Sequence, residues 1–145
     1  MVSLTTDIPN EWEEGERHDV KLIVAAGQTI LAGQLLIYGA NPQEVTQPVD
    51  LGAIDFAGVA LEGGVGGDRI NVRQRGLLVT DFAGTFAALS EGTAAFGEMS
   101  ATASNNPKDI SETLTDNLPI GKVNRIITAG AAGKAVFLIE ADGFR

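Results

Sequence analysis

The sequence contains no cysteine and a single histidine, and each shortage removes a class of function. Without cysteine, the 145-residue chain has no disulfide, no thiolate zinc site and no cysteine nucleophile. His18 lies among acidic residues near the N-terminus, so a Ser-His-Asp triad would have to recruit its base from there. With one histidine and no cysteine, a zinc site would have to be built mainly from carboxylates, and that combination is not one of the usual zinc ligand sets. The sequence therefore predicts a non-enzymatic protein with no catalytic residues, no metal site and no cofactor.

Basic residues are also scarce, since the chain contains 10 Lys and Arg but 19 Asp and Glu, which gives a net charge of −9. Nucleic-acid binding is dominated by Lys and Arg contacts to phosphate, so no direct nucleic-acid partner is expected. No apolar run approaches the ~20 residues of a membrane helix, and no basic region precedes an apolar core as in a signal peptide. The sequence predicts a soluble protein with no membrane partner.

Glycine is abundant, at 18 of 145 residues, and it separates short segments rich in Val, Ile, Leu, Phe and Thr. This pattern is typical of an all-β domain with tight turns. Strands are predicted over residues 19–27, 28–39, 53–61, 68–80, 118–130 and 134–142. Residues 40–50, which contain two prolines, are predicted to form a loop.

One segment does not fit the strand pattern. Phe82, Phe86 and Leu89 recur at helical spacing within residues 81–100, which allows one short helix there. The fold prediction is thus an all-β domain, a small β-sandwich or tulip-like barrel, with at most one short helix and an extended N-terminal arm.

The arm is assigned to residues 1–19 and the β-domain to residues 20–145. Six acidic residues crowd the arm, and such a run is usually a solvated tail. A solvating tail has no need of apolar anchors, however, and this one contains Leu4, Ile8, Pro9 and Trp12. These four residues suggest the alternative that the arm is disordered when free, orders on a partner and binds it.

The stretch "GGVGGDRINVRQRG" has the glycines of a phosphate-binding loop but not its chemistry. A P-loop requires a lysine and a hydroxyl residue at the start of a helix, and neither follows Gly67. The residues after it alternate as a strand, so the glycines are interpreted as a turn. Arg69, Arg73 and Arg75 would then share one strand face, either solvated or paired with an acidic partner surface such as a neighbouring subunit's Glu-rich arm.

Three stretches carry a resemblance to a known family. They are "FAGVALEGGVGGDRINVRQRGLLV", "GTAAFGEMSATAS" and "LPIGKVNRIITAGAAGKAVFLIEADGF". In their order and glycine placement they resemble the capsid cement, or head decoration, proteins of tailed bacteriophages. The similarity spans roughly residues 20–143 and falls on Gly58–Ala60, Gly63–Gly67, Val72–Gly76, Gly92–Ser104 and Gly121–Leu138. The chain departs from the family at "GTAAFGEMS", which lacks the acid and the tyrosine that often mark the aromatic-rich segment of relatives, and in its longer acidic extension.

The resemblance implies a protein that binds the outer surface of an expanded phage head and stabilises it. Its implied partner is the major capsid protein, it would form a homotrimer on the capsid, and it would be made in the host cytoplasm. In such proteins an N-terminal arm can add a strand to the capsid protein, and residues 1–19 are the corresponding segment here.

Two other classes of function stay open from the sequence. A β-sandwich recognition module for carbohydrate or protein on a virion or cell surface should expose a cluster of aromatics, but the chain has only Trp12, Tyr38 and six phenylalanines, several of them in core-like positions. A small trimeric all-β enzyme of the dUTPase type would have characteristic glycine-rich motifs and a catalytic tyrosine in a particular sequence context. Those motifs are absent here, and Tyr38 lies in "LLIYGAN", which does not match.

Overall fold

In the computed structural model, the described residues are 7, 10–47, 55–81, 94–97, 110–111, 118–128 and 133–141. Their regular structure is entirely β, with no helix among them, which confirms the predicted fold class. The strands are β1 (Glu11–Val24), β2 (Thr29–Ile30), β3 (Leu35–Tyr38), β4 (Glu44–Thr46), β5 (Phe56–Ala60), β6 (Gly64–Val65), β7 (Arg69–Asp81), β8 (Ala94–Gly97), β9 (Ile110–Ser111), β10 (Leu118–Thr128) and β11 (Lys134–Glu140). The residues that allowed a helix, Phe82, Phe86 and Leu89, lie outside the described residues.

Five strands close into a ring in the order β1-β4-β3-β5-β7, because β7 returns to pair with β1. The β1–β7 pairing is antiparallel and long, running from Glu11 opposite Val79 to Ile23 opposite Arg69. β4 closes the ring by pairing with β1 in parallel and with β3 antiparallel. A separate two-stranded sheet joins β2 to β6. The ring is the small barrel that one of the two predicted architectures described.

The second half of β7 extends beyond the barrel and begins an outer sheet. Its residues 75–81 pair with β11, and the sheet continues through β10, β8 and β9. The strands predicted over residues 118–130 and 134–142 are confirmed as β10 and β11, which pair antiparallel. Because β7 belongs to both layers, the barrel and the outer sheet form one hydrogen-bonded unit.

Two clusters of buried side chains correspond to these two layers. The barrel cluster comprises Leu22, Val24, Ile30, Leu36, Tyr38, Val45, Ala57, Ala60, Ile70 and Val72. The outer cluster comprises Leu35, Ile37, Phe56, Val59, Leu78, Ile120, Val123, Ala135, Phe137 and Ile139. β3 and β5 contribute to both clusters, and every one of their residues is buried. Their continuous apolar sequences, "LLIY" and "FAGVA", suit strands covered on both faces.

The structure differs from the sequence prediction at two boundaries. Residues 40–50 were predicted to be a loop, but they contain β4, whose Val45 is fully buried in the barrel. β4 has three residues and one apolar side chain, so it is too short to show an alternating pattern in the sequence. The predicted boundary between residues 19 and 20 falls inside β1, since residues 11–19 extend the same strand.

Gly58 allows β5 to approach β7 closely. It has a φ of 134°, and a Cβ at this position would lie 2.5 Å from the carbonyl oxygen of Arg73. Neither the backbone conformation nor the space accommodates a side chain there. The absence of a side chain at Gly58 therefore allows β5 to pack directly against the backbone of β7 at Arg73.

Candidate functional site

Trp12 and Arg73, which the sequence singled out separately, lie together where the start of β1 crosses the barrel. Trp12 pairs with Leu78 across the β1–β7 ladder and packs, half-buried, against the outer cluster. The other three predicted anchors, Leu4, Ile8 and Pro9, lie outside the described residues. The antiparallel register of β1 against β7 brings Trp12 and Arg73 together.

Arg73 is held by a carboxylate and an aromatic ring. Its Nε and Nη2 donate to the two carboxylate oxygens of Asp19 at 2.7 and 2.9 Å. Its guanidinium carbon lies 4.7 Å from the centroid of the Trp12 ring, a cation–π contact. The side chain is only 9% exposed. Gly76 leaves the room for this stack, since a Cβ there would lie 2.9 Å from Arg73 Cδ.

The hydrogen bonds from Arg73 hold the pKa of the Asp19 carboxyl below its ordinary value of 3.8. Partial burial acts in the opposite direction by disfavouring the charged form. The positive charges of Arg73, Arg17 and His18 lower the pKa further. Asp19 is therefore the ionised partner of a largely buried guanidinium near neutral pH.

The other two arginines of β7 lie in more open surroundings. Arg69 is exposed and stands opposite Ile23 in the ladder. Arg75 is half-exposed, and its Nη1 donates to Glu140 at 3.2 Å, while its Nε lies 3.7 Å from a carboxylate oxygen of Glu16. That buried Nε makes no hydrogen bond in the part of the chain that the structure describes.

These contacts pair the arginines with the Glu-rich N-terminal segment, as one of the sequence interpretations suggested, but within a single chain. Asp19 and Glu16 belong to β1, so Arg73 and Arg75 need no neighbouring subunit to find an acidic partner. The sequence could not distinguish the two arrangements, because the residues are more than 50 positions apart and only the β1–β7 register joins them.

Two further ion pairs were not predicted. Glu11 lies 3.4 Å from Lys134, and Glu13 accepts a hydrogen bond from Arg125. They join the start of β1 to β11 and β10, across more than 100 residues of sequence. Composition gives no signal for such pairs.

A groove of about 400 Å³ opens beside the Trp12–Arg73 stack. The residues before β1 contact its rim: Asp7 Oδ1 accepts from the backbone N–H of Ala32 at 2.9 Å, and Asn10 Nδ2 donates to the carbonyl of Gly33 at 3.2 Å. The described lining consists of Asp7, Asn10, Trp12, Ala32, Gly33, Ala60, Leu61 and Arg73. Sequence reasoning missed this groove, because its walls come from four separate stretches of chain.

The glycine-rich stretch is a turn that carries β6. Its backbone N–H groups already have partners inside the chain: Val65 donates to the Asp68 carboxylate, Gly66 to the carbonyl of Gln28 and Gly67 to the carbonyl of Val24, all at 2.8–3.0 Å. A phosphate-binding loop would direct such groups at its ligand. Here they hold the turn against the ends of β1 and β2.

The described residues contain no group of three or more His, Asp and Glu side chains placed to hold a metal ion. No helix long and apolar enough to cross a membrane occurs among them. No protein-family model matches this chain, and no curated protein matches it.

Proposed function

We propose that this protein is a capsid decoration, or cement, protein that binds the outside of an expanded phage head and stabilises it without enzymatic activity. The observation that carries the proposal is the resemblance of its strand and glycine order to that family. Three of the resembling segments, Gly58–Ala60, Val72–Gly76 and Gly121–Leu138, fall on β5, β7, β10 and β11. The resemblance thus involves the strands that join the barrel to the outer sheet.

The physical properties of the domain support this role. A clamp acts through rigid shape and repeated contacts, and two apolar clusters that share strands β3, β5 and β7 supply rigidity. Many identical subunits on one shell gain strength because each is held by several neighbours. The net charge of −9 would keep free copies apart before assembly. The partners proposed are the major capsid protein and two further copies in a homotrimer.

The contact with the shell is proposed to use the residues before β1. Residues 11–13 and 18–19 pair with β7, so a partner strand added along the same edge would compete with an existing ladder there. The apolar residues Leu4, Ile8 and Pro9 precede this ladder and are the proposed anchors. Arg69, which is exposed on β7, is the next candidate contact.

Co-sedimentation with expanded, undecorated heads from the matched phage tests this proposal. The full chain is compared with a chain lacking residues 1–6, which keeps the Asp7 and Asn10 contacts and all of β1. A Leu4→Asp, Ile8→Asp variant is compared with Thr5→Asp, Thr6→Asp, which adds equal charge without removing apolar residues.

Saturable binding at a fixed ratio to capsid subunits is expected. Binding should be lost in the truncated chain and in the Leu4→Asp, Ile8→Asp variant, but retained in the threonine variant. Binding that survives truncation would move the contact to the β-domain, with Arg69→Glu as the next variant. No binding of the full chain to matched heads would contradict the proposed function.

A further inference from the structure

The groove beside the Trp12–Arg73 stack combines hydrogen-bonding groups of both kinds with apolar surface. Its volume of about 400 Å³ is within the range of small-molecule sites, about 300–1,000 Å³. Ala60 and Leu61, at the end of β5, contribute apolar surface. Trp12 and Arg73 contribute an aromatic ring and a guanidinium that are already fixed against each other.

The polar side chains that line the groove retain unused hydrogen-bonding capacity. Asp7 uses Oδ1 to accept from Ala32, and Asn10 uses Nδ2 to donate to Gly33. Among the described residues, Asp7 Oδ2 and Asn10 Oδ1 have no such partner and are available as acceptors. Arg73 uses Nε and Nη2 on Asp19, which leaves Nη1 as a donor. The first bonds of these side chains fix their positions before any ligand arrives.

The charges at the groove select against ionic ligands. The lining carries one charge of each sign, the Asp7 carboxylate and the Arg73 guanidinium that Asp19 holds from β1. An anionic ligand would meet the Asp7 carboxylate, while a cationic ligand would meet the guanidinium of Arg73. A neutral ligand with several hydroxyl groups satisfies both, because each hydroxyl can donate to a carboxylate and accept from a guanidinium.

We propose that this groove binds a neutral saccharide unit. The hydroxyl groups of the sugar donate to Asp7 and Asn10 and accept from Arg73, and its C–H faces contact Ala60, Leu61 and the Trp12–Arg73 stack. Asp7 and Asn10 belong to the residues before β1 that are proposed to contact the shell, but saccharide binding is measured on the free protein, so its failure is distinguishable from failure of the decoration role.

Trp12 makes the test specific, because it is the only tryptophan of the chain and its fluorescence reports on the groove alone. The full-length protein is titrated with the methyl glycosides of glucose, galactose, mannose and N-acetylglucosamine. Sodium acetate and lysine methyl ester serve as the anionic and cationic probes. Asn10→Ala removes an acceptor from the groove, and Ala32→Leu fills it.

Asn41→Ala is the matched control, because Asn41 also makes one Nδ2 hydrogen bond, to Glu44, on an exposed turn. A saturable change in Trp12 fluorescence is expected with at least one glycoside. Its affinity should fall about five- to tenfold in Asn10→Ala and in Ala32→Leu, and stay unchanged in Asn41→Ala. Circular dichroism of each variant confirms that it is folded.

Three results would overturn the proposal. They are no response to any glycoside, an equal loss of affinity in Asn41→Ala, or a response confined to acetate or to lysine methyl ester. The last result would instead identify the groove as a docking site for charged side chains of a protein.

Discussion

At the scale of single residues, the key contact is that of Arg73 with Asp19 and Trp12. A largely buried guanidinium is costly unless its hydrogen bonds are satisfied, and removing one partner of such a pair is more damaging than lacking the pair altogether. The bidentate geometry and the ring beneath the guanidinium provide that satisfaction. Since Asp19 and Trp12 both lie on β1, this contact fixes β1 to β7.

Acid should weaken this contact at a defined point of the pH scale. The folded-state pKa of Asp19 lies below its unfolded value of about 3.8, so the stabilisation is fully present above pH 3.8. It is lost as the pH falls through the folded-state pKa. In Asp19→Asn the free energy of unfolding should drop by about 1 kcal/mol at neutral pH, a modest value because Asp19 is 37% exposed.

Urea unfolding at a series of pH values between neutrality and pH 2.5 measures this effect. The wild-type curve should fall more steeply than that of Asp19→Asn below about pH 4. Glu14→Gln, which neutralises an exposed acid of the same strand, should follow the wild type within about 0.5 kcal/mol. Parallel curves for Asp19→Asn and wild type would show that the pair does not contribute.

At the scale of strands, β1 consists of two differently held parts. Its ladder with β7 is interrupted between Glu13 and His18, where β1 has more residues than β7 and forms a bulge. Beyond the bulge, Leu22 and Val24 lie in the barrel cluster and Val20 packs against it. Before it, residues 11–13 are held by Trp12 and by the exposed ion pairs of Glu11 and Glu13.

The first part should therefore be the more sensitive to salt. Exposed ion pairs contribute about 0–1 kcal/mol each, and 1 M salt reduces the screening length to about 3 Å. Amide hydrogen exchange should accelerate at residues 11–13 in 1 M NaCl and remain unchanged at residues 20–23. Glu11→Gln combined with Glu13→Gln should reproduce the acceleration at low salt. Equal protection of both parts under all conditions would refute this division of β1.

The close approach of β5 to β7 gives a second prediction at this scale. Gly58→Ala places a Cβ against the backbone of β7 in a positive-φ conformation, so it should lower the free energy of unfolding by about 2–3 kcal/mol. Gly67→Ala is the matched control, because Gly67 also has a positive φ of 92° but open space around it. It should cost about 1 kcal/mol. Chemical denaturation measures both, and equal losses would mean that the contact with Arg73 imposes no constraint.

The sequence predicts the strands that carry their own pattern, and it fails where structure depends on distant pairing. β3, β5, β10 and β11 follow from apolar runs bounded by glycine turns. Closure of the barrel does not follow, because it depends on β4, whose only buried apolar residue is Val45. Likewise, Trp12 and Arg73 were each identified as candidate contacts, but only the β1–β7 register brings them together at one groove.

At the scale of the whole molecule, a closed barrel and an outer sheet share β7, so the domain is one continuous hydrogen-bonded unit. A protein proposed to reinforce a shell would use such a unit to connect its two faces. Its acidic surface suits a protein that must stay dispersed until it meets a specific acceptor. Both properties agree with the proposed decoration role.

Rupture of DNA-filled heads on heating tests that role most directly. Expanded heads that lack their decoration protein are heated with a DNA-binding dye, with and without saturating amounts of this protein. Bovine serum albumin at the same concentration is the control. The decoration role predicts that DNA release shifts to higher temperature only with this protein, in proportion to the number of copies bound. An unchanged release temperature at saturating concentration would contradict it.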